Sequence, residues 1–275
     1  LLTDEKRHKR SIWIYLTVLA FAALAAGLSD AVYSNYFKDA YNVSALQRGL
    51  IEFPRELPGV IVVILISLLS SVSNVRVAML AQGMAIFGLA FLGFLTPPFA
   101  LMLVFLFINS LGGHLWYPLQ DSIGLTLIRD DGNAGTIIGR FKGVSTAFSL
   151  LAALLVFTGF RLGWFSFTTP VKLVFVIAMA FLLITLILLG YLDRHVKKPE
   201  TSASGKRFKL IFRKEYKYYY LLAIVFGVQK QIMFVYGPWV LIDLLGQKTD
   251  TMALLGMAGA LVGIFFIPAL GRWID

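Results

Sequence analysis

The sequence has no cysteine, and charged residues fill only 15% of its 275 positions. The first absence excludes a disulfide framework and any thiolate metal site. The second lies well below the roughly 25% of a typical soluble domain and removes most of the polar surface that a water-soluble fold of this size needs. Acidic side chains are the scarcer sign, 15 Asp and Glu against 25 Lys and Arg, for a net charge of +10. No Walker-type loop occurs, which argues against a nucleotide-driven pump. No nucleophile, metal-ligand group or pair of carboxylates aligned at one depth stands out, so no cofactor is implied and a polytopic enzyme is the weaker reading. Hydrocarbon takes the place of the missing polar groups. Hydrophobic residues make up 58% of the chain, 23 of them are Phe, and the mean hydropathy is +0.78.

Lipid is the solvent that suits such a surface, and there each backbone group must be satisfied by a helix or a closed barrel. Barrel strands would alternate apolar and polar residues over about ten positions. This chain instead carries continuous apolar runs of about 20 residues, the length of a spanning helix. Eight spans are expected: Ile12–Phe37, Leu46–Ser71, Val77–Thr96, Phe99–Ile128, Thr136–Phe160, Val171–Leu192, Tyr218–Ile242 and Met252–Ile267. With the N-terminus in the cytoplasm, 18 of the 25 Lys and Arg fall on the inner side, six on the outer side, and Lys230 inside a span. That bias obeys the positive-inside rule. The surplus charge therefore marks topology and attracts anionic lipid heads, which makes nucleic acid a poor candidate partner.

The chain also contains a repeat. Gly27-Leu28-Ser29-Asp30 in the first span stands opposite Gly227-Val228-Gln229-Lys230 in the seventh, and Leu69–Asn74 stands opposite Leu270–Asp275. Two matches in register, on either side of a basic connection after six spans, indicate a duplicated six-helix unit. Parallel repeats of this kind build secondary transporters with a midplane site between halves. With Gly271-Arg272-Trp273-Ile274-Asp275 at the inner end of the eighth span, the sequence resembles the major facilitator superfamily. The matching place in the first half reads Ser70-Ser71-Val72-Ser73-Asn74, without the family's Gly and Asp. Asn109 stands where many proton-driven members carry arginine, and the fifth span lacks the Gly-Pro and Gly-Gly pattern of the drug-antiporter branch. The resemblance implies an all-α polytopic membrane bundle. Residues 1–192 would form a six-helix N-terminal half, 193–217 a basic cytoplasmic linker, and 218–275 the first two helices of a parallel-repeat C-terminal half. Members usually have twelve spans, so a fragment is expected.

An ionised side chain at mid-membrane costs about 2.5–3.5 kcal/mol on insertion scales, so each needs a reason. Asp30 and Lys230 occupy equivalent places with opposite charges. Tyr33 shares the Asp30 face, and Gln229 and Gln231 flank Lys230. They form either a substrate site favouring a solute with an anionic group or a structural ion pair. On the fourth span His114, Tyr117, Pro118 and Asp121 share one face. His114 is either a proton-exchanging group or a satisfied interhelical hydrogen-bonding group, Asp121 is placed to form a gate salt bridge with Arg140, and the two are too few for a metal site. Arg48, Glu52, Arg55 and Glu56 open the second span around Pro54 and Pro58. They constitute either a solvated helix start or an outer gate, and Glu52 or Glu56 becomes a proton site if it reaches the cavity. Gly139-x-x-x-Gly143, Gly256, Gly259 and Gly263 suggest close helix packing. Gly271 and Asp275 belong to the expected gating loop. Together these point to a secondary transporter in the plasma (inner) membrane, N-terminus cytoplasmic. It would move a small polar solute by alternating access, with protons or another ion as coupling partner. A non-transporting receptor or scaffold is the alternative.

Overall fold

The computed structural model describes residues 2–127, 134–195 and 213–274. All of the regular structure among them is helical. In chain order it comprises α1 (Leu2–Asp30), α2 (Tyr33–Tyr41), α3 (Ala45–Leu68), α4 (Asn74–Phe94), α5 (Phe99–Thr126), α6 (Ala134–Arg161) and α7 (Leu173–His195). A short 3-10 turn (Lys214–Tyr216) leads into α8 (Lys217–Trp239). A five-residue π-helical segment (Val240–Leu244) and α9 (Thr249–Ile274) follow. Most of the expected linker, residues 196–212, lies outside the described residues, as does Asp275.

Six helical stretches among the described residues are long and apolar enough to cross a membrane: His8–Asp30, Asn74–Phe94, Phe99–Thr126, Ile137–Arg161, Leu173–Arg194 and Lys214–Leu244. The other two expected spans, α3 and α9, have 24 and 26 residues, about 36 and 39 Å at 1.5 Å per residue. Arg48, Glu52, Arg55 and Glu56 lower the apolarity of α3. The expected first span is interrupted at Ala31–Val32. Ser29 turns its hydroxyl back to the Ala25 carbonyl at 3.0 Å, a bond that competes with the helix ladder and favours a bend. The bend ends α1 at Asp30 and starts a new helix at Tyr33.

Caps fix where the next helices begin. Ser44 accepts from the Gln47 backbone N–H, and Gln47 Oε1 accepts from the Ser44 N–H at 2.9 Å, a reciprocal capping box. Ser73 accepts from the Arg76 N–H to start α4. One end of the bundle holds the start of α1, and is called basal here. There Arg76 bonds Asp193 at 3.0 Å and Asn74 bonds Ser122 at 2.7 Å, tying α4 to α7 and α5. At the opposite, distal end the Lys172 ammonium is buried and donates to the Thr96 hydroxyl and to the carbonyls of Leu95 and Pro170.

Helices α4 and α5 approach most closely through glycine. A Cβ added at Gly112 would come within 2.7 Å of the Ala85 nitrogen, and one at Gly88 within 2.6 Å of Asn109 Cβ. The glycines expected to form the packing surface do something else. At Gly139, Gly143, Gly256 and Gly259 an added Cβ would meet no atom within 4 Å. Among the described residues these glycines therefore make no close helix contact. The surroundings of Gly263 and Gly271 lie outside the described residues.

Two cores result. The basal core is drawn from α1, α3, α4, α5, α6 and α7, with no described residue of α8 or α9. The distal core adds Trp239 of α8 and Ala253 of α9 to residues of α1–α7. The last two helices therefore join the bundle at its distal end, while α8 is exposed from Leu221 through Lys230.

Candidate functional site

Polar side chains from α1, α2, α3, α5 and α8 converge where the α1–α2 bend faces the first half of α3. The hub is Glu52. One carboxylate oxygen accepts from the Arg48 guanidinium and from Arg55 at 2.7 Å, and the other accepts from Gln231 Nε2 at 2.8 Å. Arg48 is 2% exposed and Glu52 9%. Arg48 also reaches the Ser34 hydroxyl at 3.3 Å and lies 5.4 Å from the Phe37 ring centroid. Arg48 and Glu52 are thus buried rather than solvated, while Glu56 is half-exposed. Charge lowered the cluster's apparent hydrophobicity, but two arginines and an amide neutralise and satisfy the Glu52 carboxylate, which is what makes its burial tolerable.

A second layer surrounds this hub. Arg55 lies 5.4 Å from the Tyr33 ring centroid. The Tyr33 hydroxyl donates to Asn109 Oδ1 at 2.7 Å, and Asn109 Nδ2 donates to the Ala85 carbonyl at 3.1 Å. Gly88 leaves the room that Asn109 occupies. Pro54 and Pro58 remove two backbone donors from α3, and the Ser110 hydroxyl donates to the Arg55 carbonyl in that stretch. His114 Nδ1 lies 3.0 Å from the Ser110 carbonyl and 3.1 Å from its hydroxyl oxygen. With the Ser110 proton given to Arg55, both neighbours of Nδ1 are acceptors, so Nδ1 carries the hydrogen. Nε2 is then the atom that gains or loses a proton, and it lies 3.8 Å from Glu56 Oε2. Gly59 lets the imidazole sit against α3, since a Cβ there would stand 3.2 Å from His114 Cδ2.

Asp30 is exposed at the end of α1 and makes no ion pair among the described residues. Arg55, His114 and Glu56 are the charged groups whose fields reach it. Asp30, Arg55 and Glu56 likewise act on the half-exposed Tyr117. The expected Asp30–Lys230 pair is not formed. Lys230 is exposed, with its ammonium 5.8 Å from the Phe234 ring centroid. Consecutive helical residues point about 100° apart, so Gln229, Lys230 and Gln231 cannot all face α3. Gln231 does; Gln229 is exposed. Asp121 lies near the basal end and pairs at 2.7 Å with Lys142, the residue two past the expected Arg140. Both partners are more than half exposed.

Ion pairs between distant helices occur at the distal end, where charge spacing had not indicated them. Lys38 of α2 pairs with Asp243 in the π-helical segment and lies 5.7 Å from the Trp239 ring centroid. Arg161 of α6 stands 3.9 Å from Asp250 of α9. Lys38, Arg161 and Asp250 border a distal cavity of about 680 Å³ that Asn35, Asp39 and Lys248 also line. The partners are some 90 to 200 positions apart, and neither apolar periodicity nor local spacing carries a signal for them.

The family model that describes the Major Facilitator Superfamily matches residues 15–275. No curated protein matches the chain. Among solved structures the fold is similar to the crystal structure of the nucleoside transporter NupG. The TM-score is 0.70 at 15% identity, covering 96% of this chain and 67% of that one. At that identity the likeness concerns the fold.

Proposed function

The chain belongs to the Major Facilitator Superfamily and is a membrane transporter rather than an enzyme, and we propose that it moves a small polar solute by alternating access around the Asp30–His114 cluster. One observation carries the proposal: Gln231 of α8 reaches across to the Glu52 hub beside the α1–α2 bend. A solute bound there touches both parts of the molecule and biases their relative arrangement, which is what coupling requires.

The unequal ends support the same reading. Core packing and two ion pairs join α8 and α9 to the rest distally, while no described residue of α8 or α9 belongs to the basal core. These contacts support a carrier closed at its distal end. The basal side carries Lys6, Arg10 and Arg76, so by the charge bias it faces the cytoplasm of a plasma (inner) membrane and attracts anionic lipid heads. Residues 1–192 act as one moving unit and 218–275 belong to the other, linked through 193–217.

His114 and Glu56 are the proton-exchanging pair. Nε2 faces the carboxylate, and a proton there converts a lone-pair repulsion into a charge-assisted hydrogen bond. The test is uptake by the protein reconstituted in vesicles, against a panel of sugars, nucleosides, amines and organic acids. Nucleosides enter because of the fold's likeness to a nucleoside transporter. Accumulation should rise when the lumen is made alkaline, and His114→Gln should abolish that rise while leaving exchange at equal pH. Accumulation indifferent to the gradient would remove proton coupling; the absence of transport for every class would remove the transporter site itself.

A further inference from the structure

The distal cavity is a second place where distant parts of the chain meet around polar groups. Its wall comes from α2, the end of α6, the π-helical segment and the turn that enters α9. None of the residues lining it belongs to the Glu52 hub. Its volume of about 680 Å³ falls within the range of small-molecule sites, roughly 300–1,000 Å³. Several of the charges around it already have partners. Lys38 pairs with Asp243. Arg161 stands 3.9 Å from Asp250 Oδ2, and Asp250 Oδ1 accepts from the Thr251 N–H at 2.9 Å. Two charges remain. Asp39 of α2 and Lys248 of the turn before α9 are both exposed and line the same cavity. They make no ion pair with each other or with any other described residue. The wall also holds Asn35, 2% exposed, whose Oδ1 has no hydrogen-bond partner among the described residues. Such an acceptor is rare in a folded interior unless water or a bound molecule completes it.

We infer that this cavity is a second ligand site and that it takes a small zwitterion, with an ammonium against Asp39 and a carboxylate against Lys248. Charge of both signs on one cavity wall selects for both signs in one ligand. A molecule of a single sign is attracted by one of these groups and repelled by the other, whereas a zwitterion is attracted by each. A neutral polyol makes hydrogen bonds without charge on its own side, and so gains less at both ends than a partner that is itself ionised. Because Asp39 lies on α2 and Lys248 on the turn before α9, the bound molecule bridges the two. Phe160 and Ile242 supply the apolar part of the wall, against which the carbon skeleton between the charged ends packs.

The experiment is calorimetric titration and thermal shift of the full chain in detergent. The probes share one carbon skeleton: γ-aminobutyrate, butyrate and butylamine. Glycine and ε-aminocaproate provide a shorter and a longer separation of the same two charges. The best-spaced zwitterion should bind at least about tenfold more tightly than either single-charge analogue, the value of one charge-assisted hydrogen bond. Asp39→Asn and Lys248→Gln change exposed positions, and each should reduce the zwitterion to the affinity of a single-charge compound. Equal affinity for all three classes, or no binding by any zwitterion, overturns the inference. Zwitterion binding that survives both variants but is lost in Glu56→Gln also overturns it and assigns the ligand to the central cluster. None of these outcomes bears on the transporter reading, which the vesicle uptake screen tests separately.

Discussion

At the scale of single residues, Glu52 organises the site by accepting from Arg48, Arg55 and Gln231 at once. Replacing it by glutamine keeps the shape but leaves Arg48, 2% exposed, without a counter-charge. Glu52→Gln should therefore lower stability by about 3–5 kcal/mol, the usual cost of removing one partner of a buried ion pair. Thermal unfolding in detergent measures it, and an unchanged midpoint would show that water reaches Arg48. The sequence made the Arg48–Glu52–Arg55 face visible, because i, i+4 and i+7 share one side of a helix. Its burial was invisible, because hydropathy assigns each charge its full desolvation penalty and knows nothing of Gln231, 179 positions away. The same blindness paired Asp30 with Lys230: a matched repeat position fixes depth, but not the direction in which a side chain points.

At the scale of helices, glycine separates two roles that spacing alone conflates. Gly112 lies where α4 and α5 touch, and Gly143 lies on an open face of α6. Gly112→Ala should push α4 from α5 and cost about 1–3 kcal/mol through overpacking. Gly143→Ala should be neutral or stabilising by up to about 1 kcal/mol, because alanine favours the helix. Comparison of the two unfolding midpoints decides between them, and equal losses would place Gly143 in a packed interface. Element positions were legible from apolar runs, since a bilayer demands about 20 apolar residues whatever their neighbours. The break between α1 and α2 was not, because Ser29 bends the chain through a hydroxyl-to-carbonyl bond that leaves hydropathy unchanged.

At the scale of the whole molecule, Lys38–Asp243 and Arg161–Asp250 join α2 and α6 to the last two helical segments at the distal end, the parts that separate in the proposed alternating-access cycle. Lys38→Asp should open that end several-fold more often, since a partly exposed ion pair contributes about 1 kcal/mol. The double variant Lys38→Asp with Asp243→Lys should restore closure. The absence of native cysteine makes this directly measurable: a single cysteine at Asn35, which lines the distal cavity, reports opening by its rate of labelling with an impermeant maleimide. A rate unchanged by Lys38→Asp would mean that packing around Trp239 and Ala253 closes the end unaided.

The sequence by itself determined the solvent, the helical class, the approximate span positions and the family resemblance. Each of these follows from composition or from order along the chain, and the cost of exposing a backbone group or an apolar side chain to the wrong medium is local. Only the tertiary structure decided which charges are spent and which are free. Glu52, Arg48 and Arg55 form one buried ionic group, Glu56 faces His114, and Asp30 and Lys230 are exposed without pairing each other. Electrostatic energy depends on distances between helices that the chain order does not encode. The charge shortage that first marked the sequence as a membrane protein thus narrows, within the fold, to a few charged side chains whose partners lie on other helices or nowhere among the described residues.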